Sequence, residues 1–185
     1  EISMNALSLM TSCLTLGSTD PHPNVTPSVL FGLGWLYLIL CAMNVVWTWR
    51  SFHSGRHFRL PEFMGGMDMP NAVVWAMYSI ALLLVSVTHL TCASVPEALR
   101  WFVMPDCAKA AIDSVVADAR TYFAVTTFAF VAMIALRNWL AKPNVGWVLL
   151  NLSLLFLCVS LTDWDFRQIV GKPDNVPIVA MLFIV

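Results

Sequence analysis

Two histidines four residues apart, His53 and His57, stand in the stretch WTWRSFHSGRHFRLPEFMGGMDMP, Trp47 to Pro70. On a continuous helix that spacing puts both imidazoles on one face, as a metal pair requires. Gly55 lies between them, however, and Arg50, Arg56 and Arg59 interleave. Positive neighbours disfavour a bound cation. The competing reading is a basic collar whose long side chains reach lipid headgroups and attract anionic lipid. The same stretch carries Met64, Met67 and Met69. Thioethers suit a soft ion such as Cu(I), so these three are a candidate copper set. Their plainer role is an adaptable apolar loop.

His89, in LLLVSVTHLTCA, sits where no Asp, Glu, Lys or Arg occurs between Asp68 and Glu97. An ionisable group in so apolar a setting is a candidate haem ligand, quinone hydrogen-bond partner or proton relay. Against this stands a histidine simply bonded to a nearby carbonyl. A haem held by two imidazoles needs a second histidine at the same depth on a neighbouring helix. The other apolar runs have none, so a partner chain would have to supply it, along with any haem or quinone. Of the five cysteines, Cys92 and Cys107 are near enough in sequence to close a loop by a disulfide in an oxidising compartment. Cys13 leaves that pairing open, and Cys41 and Cys158 fall inside apolar runs. No C-x-x-C-H occurs for covalent haem attachment. Asp163 and Asp165 complete the candidates: with His89 they are what a copper-dependent oxygenase would have to use. The NVT at Asn24 is a glycosylation acceptor followed closely by Pro27.

The elements that must position these residues follow from composition. Of 185 residues, 59% are hydrophobic and 11% charged, against about 25% charged in soluble domains. The charges cluster, leaving uncharged runs Asp20–Arg50, Asp68–Glu97, Arg120–Arg137 and Lys142–Asp163. About 20 apolar residues cross a bilayer as a helix. The pattern predicts an all-α, polytopic transmembrane helix bundle with four complete spans and the start of a fifth. The spans are expected at 28–49, 71–93, 122–140 and 145–162, with the fifth opening at 176–185. Residues 1–27 form an N-terminal interfacial segment rich in helix breakers. Span three is expected to run on from AKAAIDSVVADAR, with Asp106 as that segment's cap. The sequence begins at Glu1 and ends in VPIVAMLFIV, too short to span, so a piece of a longer chain is expected.

These spans alternate the loops between two sides. One side holds 51–70 and 141–144; the other holds the N-terminus, 94–120 and 163–175. Lys and Arg divide five to five, but the first side packs its five into far less chain. Positive density in short loops favours the cytoplasm, so the N-terminus and the 94–120 loop are expected on the non-cytoplasmic side. The expected setting is a bacterial or organellar inner membrane. Trp47, Trp49, Trp75, Trp139 and Trp147 fall at one set of span ends and Trp164 at the other, where indoles are half buried with a wet N–H. A net charge of -1 and the lack of any basic tract give no footprint for nucleic acid.

GKPDNVPIVAMLFIV, Gly171 to Val185, resembles the run that enters a transmembrane helix in membrane subunits of bacterial quinol–cytochrome c oxidoreductases of the cytochrome bc type. The resemblance implies membership of a multi-subunit electron-transport complex. It brings no haem ligand, because the paired histidines of that family's haem-bearing subunit have no counterpart here. Independently, Asp174 or Asn175 is placed to cap the helix and Pro177 fits its first turn.

No expected span holds an acidic or basic residue in its central turns, which disfavours a self-sufficient ion-coupled transporter. The expected function is an accessory integral-membrane subunit of an electron-transport complex, scaffolding redox or quinone-binding partners among lipids. The alternatives are a small transporter or channel, for copper if the methionines are used, and a copper-dependent membrane enzyme.

Overall fold

The computed structural model describes residues 25–55, 57–59, 68–116 and 118–184. The described chain is mostly helical. Its packing divides it into two units, Thr26–Leu99 and a second that contains Arg100–Val185.

In the first unit α1 runs Pro27–Ser54, a two-stranded antiparallel ladder follows (β1, His57–Arg59; β2, Asp68–Pro70), and α2 runs Asn71–Cys92. Helix α1 starts where the sequence lets it. The Thr26 hydroxyl accepts from the Val29 N–H at 3.4 Å, and Pro27 takes a first-turn position whose N–H is not needed. It ends at Gly55, in the left-handed conformation (φ 59°) that a helix terminus asks of glycine. At 28 residues it is about 42 Å long, so its last turns project beyond a hydrocarbon core of about 30 Å. It thus extends past the expected end at 49.

Helices α1 and α2 pack antiparallel. Ser86 meets Gly34, Ser79 meets Cys41, and His89 meets Tyr37. Gly34 is required by this approach: a Cβ there would lie 2.6 Å from Leu90 Cγ. Small residues at such contacts let helices close without a hydrophobic driving force. Leu30, Leu33, Leu40 and Leu82 are buried in this unit.

The second unit contains part of a 3₁₀ helix, Pro96–Phe102, then α3 (Asp106–Val116), α4 (Ala119–Ala135) and a short α5 (Arg137–Leu140). Helices α6 (Pro143–Ser160), α7 (Trp164–Val170) and α8 (Asn175–Ile184) complete it. The expected continuity of span three with the preceding segment fails. Asp118 caps α4 by accepting from the Thr121 N–H at 2.9 Å, and Pro96–Ser114 meets α4 at 80°. Leu136 (φ -95°, ψ 8°) separates α4 from α5. Pro143 opens α6 and Asp163 caps α7, accepting from Phe166 N–H at 2.9 Å. Helix α8 begins at Asn175, within a residue of the expected start.

Three helices, α1, α2 and α6, are long and apolar enough to cross a membrane. They number four if the bent pair Pro96–Ser114 and Ala119–Ala135 counts as one span.

Candidate functional site

The strongest site residue of the sequence, His89, lies on α2 one turn before its end and is buried (9% exposed). Its Nδ1 is 2.8 Å from the Val85 carbonyl. A carbonyl only accepts, so Nδ1 carries the proton and, in the neutral ring, Nε2 carries the lone pair. A ring fixed in this way, with Nδ1–H on a backbone carbonyl, is how imidazole ligands are commonly oriented. The Tyr37 ring packs against it, centroid to centroid 4.9 Å. The site therefore has one oriented imidazole and one phenol between two apolar helices. Such a pair can coordinate a metal through Nε2 or accept a hydrogen bond from a quinol hydroxyl. It cannot by itself complete a coordination shell.

Several other polar groups of the α1/α2 pair bond to backbone carbonyls. Asn44, fully buried, donates to the Leu40 carbonyl at 2.8 Å. Ser79 donates to Trp75 O at 2.8 Å, and Cys41 Sγ to Ser79 O at 3.2 Å. Ser86 donates across the interface to Gly34 O at 2.7 Å. Thr48, Thr88 and Thr91 bond back to carbonyls four residues earlier. This is what hydroxyl and amide side chains do inside apolar helices.

His53 and His57 do not form a pair. Helix α1 carries His53 in its last turn, Nδ1 3.0 Å from Trp49 O, its ring against Trp49 and Phe52. Gly55 then ends the helix, and His57 belongs to β1, opposite Pro70. The stretch that follows α1 is a turn and a ladder, so the shared helical face does not exist. Of the methionine set, Met69 pairs with Phe58 in the ladder, while Met64 and Met67 lie outside the described residues. Arg56 and Asn24, the acceptor residue of the NVT stretch, also fall outside them.

Cys92 is a free thiol, whereas Cys107 is disulfide-bonded. The loop closure expected between them is therefore not formed. Cys107 opens a helix of the second unit while Cys92 ends α2 in the first, and proximity in sequence was the wrong guide.

The carboxylates Asp163 and Asp165 come together, but around a cation of the protein's own. Lys109 Nζ lies 3.1 Å from Asp163 Oδ1 and 3.2 Å from Asp165 Oδ2. A lysine in that place opposes a bound metal ion. Arg167, on the same turn, donates to the Leu161 carbonyl at 2.8 Å. Burial pushes its pKa down, and the Asp163 charge offsets part of that shift. Among the described residues no three His, Cys, Asp or Glu side chains gather as a metal site. Sequence reasoning missed this bridge, which joins residues more than fifty positions apart; Lys109 and the pair Asp163/Asp165 were visible only as separate charges.

Two clefts between described helices are apolar. One, of about 530 Å³, is walled by Leu152, Phe156, Phe166 and Val179 with Ser153. The other, of about 410 Å³, is walled by Val45, Trp49, Phe52 and Val73 with Thr48. A cofactor pocket combines apolar walls with a few convergent polar groups, which these lack.

Comparison with known protein families, with characterised proteins and with solved structures finds no match for this chain.

Proposed function

We propose that this protein is an accessory membrane subunit of a multi-subunit electron-transport complex, embedded beside redox-active chains and contributing His89 to a site completed by a partner. The observation that carries this reading is the oriented, buried imidazole of His89, with its Nδ1–H on the Val85 carbonyl between two apolar helices. An imidazole oriented through Nδ1 in this way is the form in which haem and quinone sites commonly use histidine. The likeness of Gly171–Val185 to bc-type membrane subunits points to the same class of assembly. The Lys109 bridge takes Asp163 and Asp165 out of consideration as copper ligands, which weighs against an autonomous oxygenase.

The test is isolation from native membranes in mild detergent, with a reduced-minus-oxidised spectrum and metal quantification by mass spectrometry. Co-purifying haem chains are expected, with a cofactor band that shifts or weakens in His89→Ala. Stoichiometric copper on a lone homo-oligomer, without haem, would overturn the proposal and turn attention to Met64, Met67 and Met69.

A further inference from the structure

The apolar stretch before α4 does not run straight into it: Pro96–Ser114 meets α4 at 80°. A segment turned through such an angle at the edge of a span either re-enters the bilayer or lies along its surface. Charge decides between the two. Glu97, Arg100, Asp106, Lys109 and Asp113 all fall in this stretch, and ionised side chains are expelled from hydrocarbon unless they line a protein interior.

We propose that Arg100–Val116 is an in-plane anchor that docks on the headgroup layer of the bilayer its own helices cross. Three observations carry this. Helix α3 is the most two-faced of the longer helices: by register Ala108, Ala111 and Ile112 fall on one side and Lys109 and Asp113 on the other. Trp101 is 61% exposed with the Arg100 guanidinium 5.6 Å from its ring centroid, a pairing of aromatic body and cationic head suited to the headgroup region. Lys109 is bound to Asp163 and Asp165, which directly follow the end of α6 at Ser160. That bridge fixes α3 at the depth where an apolar span ends. Helices α4 and α5 together, from Ala119 to Leu140, reach about 33 Å, the length a crossing needs once the in-plane segment is set apart. Arg100–Val116 carries two charges of each sign, so the docking is to zwitterionic lipid as readily as to anionic lipid.

The inference rests on α4 and α6 being membrane spans, and the experiment separates the two claims. The full chain, with Cys92→Ser to remove the accessible thiol, is reconstituted in phosphatidylcholine vesicles. A nitroxide is placed singly by Trp101→Cys, Ile112→Cys, Asp113→Cys and Phe128→Cys. Collision with oxygen, which partitions into lipid, is compared with collision with a water-soluble nickel chelate. Labels at 101 and 112 are expected to favour oxygen severalfold over the label at 113, at headgroup depth, with 128 deeper. Either 101 or 112 suffices if the other variant fails to fold. Lys109→Gln is expected to raise nickel collisions at 112 severalfold. Labels at 101 and 112 that behave like 113 while 128 stays deep would overturn the anchor alone. A label at 128 open to nickel would overturn the spanning reading and the anchor with it.

Discussion

Helices α1 and α2 meet through Gly34, Ser86, Cys41 and Ser79, and they bury residues along the whole seam. Helix α4 is comparably apolar, yet none of its described residues is buried; Phe123, Phe128 and Phe130 are 71%, 75% and 60% exposed. Hydrophobicity therefore does not separate the two regions. Close interhelical contact does. In an apolar solvent a helix gains nothing by hiding leucine from lipid, and association depends on close backbone approach and interhelical hydrogen bonds. The first pair has small residues facing each other at matched depths. On α4, Ala124, Thr126, Thr127 and Ala129 stay exposed beside Phe123, Phe128 and Phe130, with no such seam among the described residues.

The contrast is broken most severely at Gly34. Gly34→Leu drives a side chain into Leu90, and overpacking of this kind costs about 1–3 kcal/mol. Unfolding of the purified protein in mixed micelles should show that loss. The matching change on α4, Ala129→Leu, adds bulk to an exposed position and should stay within about 0.5 kcal/mol. Equal losses at both positions would erase the distinction.

A smaller effect is expected at Ser86. Ser86→Ala removes the hydroxyl bonded to Gly34 O, and interhelical bonds of this type are worth about 0.6 kcal/mol in membranes. Thr126→Ala removes a hydroxyl that bonds only within α4, to Tyr122 O, and should leave stability unchanged in the same titration.

The smallest effect concerns where α4 begins. The Thr121 hydroxyl and N–H hold the Asp118 carboxyl below the usual carboxylate range. A depressed folded pKa means the cap contributes above the unfolded value of about 3.9 and loses its contribution as pH falls through the folded pKa. Backbone chemical shifts of residues 119–122 should report fraying of the first turn on acidification. Asp118→Asn, which caps without titrating, should flatten that response.

Much of this architecture is legible in the charge-free runs. Helices α1, α2 and α6 occupy them, and the breakers at Pro27, Gly55 and Pro143 mark their ends for the reasons expected of proline and glycine. Asp118 is also a legible signal: an aspartate three residues before Thr121 caps a helix, and it separates the third run from the segment before it. What the sequence does not carry is register between distant segments. Nothing local says that Ser86 meets Gly34, that His89 stands beside Tyr37, or that Lys109 belongs to Asp163. Those contacts are chosen by packing across fifty residues or more. Cysteine pairing failed for the same cause, since Cys92 and Cys107 are near in sequence and belong to different packing units.

Native mass spectrometry of particles extracted from the protein's own membranes tests the proposed place of this chain in a larger electron-transport assembly. The account predicts a heteromeric particle of fixed stoichiometry in which this chain is bound to at least one haem-bearing chain. Only monomers or homo-oligomers, with every haem-bearing chain in separate particles, would contradict it.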